Sequence, residues 1–265
     1  MNSELISSVK NPKIKYLTDL QQKSSERRSS GLFVVEGWRE LQHCVDAGYE
    51  IDTLFCCPSL LTGEVLPPCR TRFDVSEYVY GKIAYRGTTE GIIAEVRTKQ
   101  PTLNEMHASL STPHSPLYII LEGVEKPGNL GAILRSADAA GVDAVIVCDP
   151  LTDLYNPNLI RSSIGAIFTV PTIACTSEEC IAFLKQHEIS ILTAQLQDSQ
   201  LYYDVNMTQP TAIVMGTEAT GLTEQWRKAA DVHIRIPMLG RLDSLNVSVS
   251  AAILMYEAVR QREAK

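Results

Sequence analysis

The sequence lacks the spacings that most directly betray a metal or a nucleotide. Its seven cysteines, at 44, 56, 57, 69, 148, 175 and 180, include no C-x-x-C pair, and its five histidines do not fall beside them at zinc-ligand intervals. Reduced, mostly buried thiols and no structural metal are the expectation. The glycines spell neither G-x-G-x-x-G nor a Walker loop, which removes the common signatures of dinucleotide and nucleoside triphosphate sites. No apolar run approaches the roughly 20 residues that a membrane span requires. The opening MNSELISSVKNPKIKYL lacks the uninterrupted apolar core of a signal peptide, so the expectation is a cytoplasmic protein with no membrane partner. Excess positive charge is missing too. The 24 Lys and Arg stand against 31 Asp and Glu, a net charge of −7, which is not the profile of a general nucleic-acid binder.

What is present becomes informative once the chain is divided. Residues 1–100 hold 13 basic and 13 acidic groups, so the remainder carries the whole negative excess. Within residues 1–35, Lys10, Lys13, Lys15, Lys23, Arg27 and Arg28 face only three acids, with Tyr16 among them. That segment suits phosphate contacts, and it equally suits a solvated amphipathic helix.

GLFVVEGWRELQHCVDAGYEIDTLFCC reads as strand, helix and strand, with Gly48 placed to end the helix, and GIIAEVRT reads as a further strand. Residues 31–98 therefore form a small α/β domain. In its strand-to-helix turn Glu36 and Arg39 read as structural. KQPTLNEMHASLSTPHSP then loses periodicity and gathers Pro, Ser, Thr and His, as a linker does. Beyond it, apolar strands alternate with helices: PLYIILEGV, NLGAILRSADAAG, VDAVIVCD, PNLIRSSIGAIF, TVPTIAC, SEECIAFLKQHE, ISILTAQL, TAIVMG, EQWRKAAD and a closing helix. Strands apolar throughout point to a parallel sheet covered on both faces, with ligands at its carboxyl edge. The expected domains are 1–105 and 106–265.

Three loops that follow strands are chemically unusual. In EGVEKPGNLGAILRSADAAG, Asn129 can cap a helix whose Leu130, Ile133, Leu134 and Ala137 share one face, leaving Arg135 roughly opposite. In AIVMGTEATGLTEQW, a buried strand runs into Gly216, where a ligand could lie against the backbone. Glu218 and Gly221 follow, and Thr223 is available as a cap. In RLDSLNVSVSAAILMYEA, Asp243, Ser244 and Asn246 abut a helix apolar on nearly every side, which predicts burial on nearly every side. Ser244 and Asn246 are good caps for its first turn, or site residues, or both.

Taken together, PGNLGAILRSADAAG, IVMGTEATGL and IPMLGRLDSLNVSVSAAILMYE, in this order over residues 118–258, resemble the SpoU (TrmH) branch of the SPOUT RNA methyltransferases. FVVEGWRELQHCVDAG looks like the small RNA-recognition domain, related to a ribosomal-protein fold, that many members carry in front. The resemblance implies an α/β fold whose carboxyl-terminal parallel-sheet domain is threaded as a trefoil knot, and a homodimer with the cofactor site near the dimer contact. It implies methyl transfer from S-adenosylmethionine to a ribose 2′-hydroxyl of structured RNA, with large-subunit ribosomal RNA favoured by the front domain. Carried over by position, Asn129, Arg135, Glu218, Ser244 and Asn246 are the catalytic candidates, and the backbone around Gly216, Ile236, Met238 and Leu245 would hold the cofactor. Arg161, at a position where the family usually has arginine, joins Lys10, Lys13 and Lys15 as an RNA-contact candidate. The competing readings are a transfer-RNA 2′-O-methyltransferase, an inactive RNA-binding protein of the same fold, and a small-molecule enzyme on a dinucleotide-binding fold. The last is opposed by the missing glycine fingerprint.

Overall fold

Ile14, Leu17 and Leu20 recur at helical spacing and are buried on one face of the first helix, Pro12–Gln22 (α1), which follows a short strand, Leu5–Ile6 (β1). Asn11 caps it, its side chain accepting from the Lys13 N–H at 2.9 Å, and Pro12 fills a position where no donor is needed. Lys10 and Lys15 face solvent, while the Lys13 ammonium lies 3.8 Å from the centre of the Phe73 ring. This is the geometry of an amphipathic surface helix. Arg27, on the helix Ser24–Ser30 (α2), departs from the basic face expected of the opening segment. It is buried, with Nε donating to Asp153 Oδ2 at 2.6 Å and Nη1 donating to the Leu20 carbonyl at 2.6 Å.

The computed structural model describes residues 5–63, 65–85, 90–110, 115–217, 220–241 and 244–263. The chain divides into two units: Met1–Lys99 with Asp153–Thr169, and Gln100–Thr152 with Val170–Lys265. In the first, the expected strand, helix and strand are Leu32–Glu36 (β2), Trp38–Asp46 (α3) and Ile51–Cys56 (β3), and Gly48 leaves α3 in the left-handed region at φ +71°. Cys69–Val75 (β4) and Glu77–Ile83 (α4) follow without a counterpart in the sequence reading; then comes the expected strand Ile92–Arg97 (β5). The sheet runs β1-β4-β3-β5-β2, with β5 antiparallel to both its neighbours and the other pairs parallel. Glu95, in the middle of β5, is only 4% exposed, and its Oε1 has no hydrogen-bond partner. Burial pushes its carboxyl from 4.5 up to about 7.

The second unit opens on a correction. The stretch read as irregular linker contains a helix, Leu103–Ser109 (α5), started by a reciprocal capping box between Thr102 and Glu105, a local signal that outweighs the missing long-range periodicity. Next come Leu117–Glu122 (β6), Pro127–Ala139 (α6) and Ala144–Cys148 (β7). The segment assigned to the first unit carries Pro157–Ser162 (α7) and Ala166–Thr169 (α8). They replace the single helix expected there, because Ile164 and Gly165 turn the chain at φ +56° and +82°. The second unit resumes with Thr172–Cys175 (β8), Ser177–Gln186 (α9), Ser190–Ala194 (β9), Gln200–Leu201 (β10), Thr211–Met215 (β11), Glu224–Ala229 (α10), Val232–Arg235 (β12) and Val247–Glu263 (α11).

Its seven strands are all parallel, in the order β10-β12-β9-β11-β6-β7-β8. Every residue of β6, β7 and β11 is buried, as expected of strands covered on both faces. The closing helix is less enclosed than its composition predicts. Val247, Ala251, Leu254, Met255 and Ala258 are buried, but Val249 and Tyr256 are 48% and 50% exposed, seven residues apart on one face. Among the described residues no helix is long and apolar enough to cross a membrane.

Candidate functional site

The carboxyl ends of β9, β11 and β12 open onto a cavity of about 590 Å³, in the size range of small-ligand sites and at the edge where open α/β sheets bind ligands. Gly216 continues from β11, Ile236 and Met238 from β12, and Ser244, Leu245 and Asn246 lead into α11; all six line this one space. Leu196, Leu222 and Leu254 supply apolar wall, while Gln195, Arg227 and Ser250 supply polar groups. Leu222, Ser250 and Leu254 lie within the quoted motifs without having been singled out, whereas Gln195, Leu196 and Arg227 lie outside them. Only the position of Gln195 and Leu196 just after a strand could have suggested them.

Gly216 has a reason of its own. A Cβ there would come within 2.3 Å of the Gly221 carbonyl carbon, so glycine is required first by the fold of its own loop, and the cavity inherits the result. That loop is fastened from below by Glu122, the last residue of β6, which is buried. Its Oε2 accepts from the Thr223 N–H at 2.9 Å and its Oε1 from the Thr223 hydroxyl at 2.6 Å. Thr223 was expected to cap α10, but its side chain makes no capping bond and is committed to the carboxylate instead.

Asn246 does cap α11. Its Oδ1 accepts from the Ser248 N–H at 2.9 Å and from the Ser248 hydroxyl at 2.6 Å. Because the oxygen is used as the cap, the amide nitrogen points the other way, and Nδ2 donates to Asn129 Oδ1 at 3.2 Å across 117 residues of sequence. Asn129 does not occupy the capping position of its own helix. Helix α6 begins two residues earlier, at Pro127, with Lys126 in the capping position, which leaves Asn129 in the first turn and facing Asn246. Arg135 is exposed on the side of α6 away from the buried Leu130, Ile133, Leu134 and Ala137, as its spacing predicted, and it is not part of the cavity wall. Ser244 is exposed at the cavity mouth. Glu218 lies outside the described residues.

In the first unit Arg161, half-buried on α7, lays its guanidinium 4.0 Å from the centre of the Tyr85 ring, and Nη2 donates to Asn158 Oδ1 at 3.2 Å. Both residues line a smaller cavity of about 380 Å³ with Glu36, Lys82 and Glu90. Glu36 accepts the Tyr85 N–H at 2.9 Å, a structural task of the kind its strand-to-helix position suggested.

The SpoU rRNA Methylase family matches residues 116–256, more than half the chain and all of the cavity-forming loops. The chain belongs to this family. The MRM3-like substrate binding domain matches residues 11–94. Among curated relatives, the 23S rRNA (guanosine-2′-O-)-methyltransferase RlmB of Yersinia pestis is 39% identical over 181 residues, covering 68% of this chain and 74% of that one. Among solved structures, an RNA 2′-O ribose methyltransferase is 39% identical with a TM-score of 0.81, covering 98% of this chain and 99% of that one. The AdoMet-bound rRNA methyltransferase of Sinorhizobium meliloti is 26% identical with a TM-score of 0.86, covering 97% and 98%. The family match spans the three loops singled out by their chemistry. The two family matches fall on separate stretches of the chain, one over most of the parallel-sheet unit and one over the smaller α/β unit.

Proposed function

We propose that this chain transfers the methyl group of S-adenosylmethionine to a ribose 2′-hydroxyl of RNA, with large-subunit ribosomal RNA as the substrate class. The observation that carries the reading is the convergence of Gly216, Ile236, Met238, Ser244, Leu245 and Asn246 on one cavity whose mouth is bonded to Asn129. A space of about 590 Å³ with leucine walls and several backbone-lined loops suits an adenosine with a short charged tail. A likeness to an AdoMet-bound rRNA methyltransferase and to RlmB supports the cofactor and the RNA class.

When bound, S-adenosylmethionine supplies a methyl already activated by a sulfonium. The protein must then align an oxygen nucleophile and ease the loss of its proton, and alignment alone contributes several kcal/mol. The backbone at Gly216, Ile236, Met238 and Leu245 holds the cofactor. Ser244 and Asn246 position the ribose, and Asn129 fixes the Asn246 amide. Arg135 offers a planar fork of N–H donors and no acceptor, so it is no base. With Glu218 or an RNA phosphate to hold it, it stabilises the developing alkoxide while the proton leaves through RNA or water.

Lys10, Lys13, Lys15 and Arg161 contact RNA phosphate in this reading, with residues 1–105 recognising the substrate and 106–265 performing transfer. Two copies pair through the exposed Val249–Tyr256 face of α11, the carboxyl-terminal segment is threaded as in the family's trefoil knots, and the protein works in the cytoplasm.

The test is labelled methyl transfer to unmodified ribosomal and transfer RNA by the wild type, Arg135→Ala and Arg135→Lys, with nuclease mapping of the product. Label at one alkali-resistant ribose position of ribosomal RNA, reduced at least about a hundredfold in both variants, is expected. Label in transfer RNA would reassign the substrate. Cofactor binding without transfer to either would replace the enzyme by an RNA-binding protein, and near-normal turnover by Arg135→Lys would remove the bidentate role of the guanidinium.

A further inference from the structure

Three cysteines that the proposed methyl transfer does not use converge on the other half of the sheet edge. Cys148 ends β7 and Cys175 ends β8, and the two are register partners in the parallel pair; Cys180 lies in the first turns of α9. Their Sγ atoms all lie within 4.8 Å of one another. Cys148 and Cys180 are buried, whereas Cys175 is half-buried and leaves the cluster one side toward solvent.

The segments that carry the thiols are tied together. The Asp149 N–H donates to the Cys175 carbonyl at 2.9 Å, and Asp149 Oδ2 accepts from the Ser177 hydroxyl at 2.6 Å and from the Ser177 N–H at 3.2 Å. The Ser177 hydroxyl in turn accepts from Trp226 Nε1 at 2.9 Å. Asp149 follows Cys148, and Ser177 stands one turn before Cys180, so these bonds fix the three sulfurs relative to one another. Such a supported constellation costs little to organise when a ligand arrives.

We propose that Cys148, Cys175 and Cys180 form a three-thiolate site for a soft divalent cation of the zinc class, with water in the fourth position on the Cys175 side. Tetrahedral zinc–sulfur bonds of about 2.3 Å place the sulfurs roughly 3.8 Å apart, a contraction of about 1 Å at most from the arrangement present. A divalent ion leaves the buried cluster with one net negative charge where a monovalent ion would leave two, and burial penalises the second. Binding is an exchange without redox change: each cysteine still protonated gives its proton to solvent as its sulfur bonds the cation.

The test uses the full chain, reduced and metal-free, titrated anaerobically with cadmium(II) and, separately, with zinc(II). One equivalent of cadmium bound per chain is expected, with thiolate-to-cadmium charge-transfer absorption, together with a zinc-dependent rise in Tm. Both responses should fall at least tenfold in apparent affinity in Cys148→Ser, Cys175→Ser and Cys180→Ser, and persist in Cys69→Ser, whose thiol lies in the first unit. If the two buried variants fail to fold, the half-buried Cys175→Ser decides. No stoichiometric absorption in the wild type, or full retention in Cys175→Ser, would overturn the site. Formation of a Cys148–Cys175 disulfide by a protein that takes up no metal would also overturn it.

Discussion

Two glutamates, one in each sheet, are 4% exposed, and their surroundings could hardly differ more. Glu122, at the end of β6, has both oxygens answered by the N–H and hydroxyl of Thr223. Glu95, inside β5, has one oxygen without a partner and a carboxyl pushed by burial to about 7. A buried carboxylate is inexpensive only when donors meet it. The parallel sheet spends its glutamate on fastening the loop that borders the cavity, while the front sheet carries one whose charge works against the fold.

The largest effect that would test this contrast is Glu122→Ala, which strands the Thr223 donors and frees the cavity loop. It is expected to cost about 3 kcal/mol in denaturant unfolding and to weaken S-adenosylmethionine binding. A loss below about 1 kcal/mol would mean that the clamp is replaceable by water. Glu95→Gln should act in the opposite direction. Between about pH 4.5 and 7 the folded chain retains a proton on Glu95 that the unfolded chain releases, so this group's contribution falls as pH rises through that window and levels off above it. The variant should therefore gain about 1–2 kcal/mol at pH 8 and lose that advantage toward pH 4. A gain that does not depend on pH would break the comparison.

Asn246→Ala removes a helix cap and one polar contact at the cavity mouth. About 1 kcal/mol of stability is expected to go, and a double-mutant cycle with Asn129→Ala should be non-additive in kcat. Additive effects would separate the cap from the site. The smallest stability change, within about 1 kcal/mol, is expected for joint replacement of Lys10, Lys13 and Lys15 by Ala. RNA binding should nevertheless weaken and its salt slope flatten, with cofactor affinity intact. An unchanged slope would place that surface away from the RNA.

The glutamates also mark how far a sequence reading reaches. Glu122 reads as one more residue at a strand end, and Glu95 as one polar position in GIIAEVRT; nothing local tells which will find donors. Helix starts are set locally where a short-range pair caps them, as at Asn11 with Pro12, a pair the sequence reading did not single out. The start was misread at Asn129, because Pro127 begins the helix earlier, whereas Thr223 does hold the capping position of α10 and only its hydroxyl is drawn away, by a distant carboxylate. The closing helix was expected to be buried on nearly every side because its composition counts apolar residues, whereas exposure depends on which neighbours cover each face.

By itself the sequence determined the alternation of apolar strands and helices, the parallel sheet that follows from it, and the three loops, two of which line the cavity while the first reaches it through the Asn129–Asn246 bond. Each of these is encoded in contiguous residues by periodicity, capping or glycine. The tertiary structure alone decided that Asn129 bonds Asn246, that Thr223 answers Glu122, that Arg27 is a buried structural cation, and that thiols at 148, 175 and 180 share one corner. Those pairings depend on strand order and on the side-chain directions at strand and helix ends, which are fixed by packing across the whole sheet.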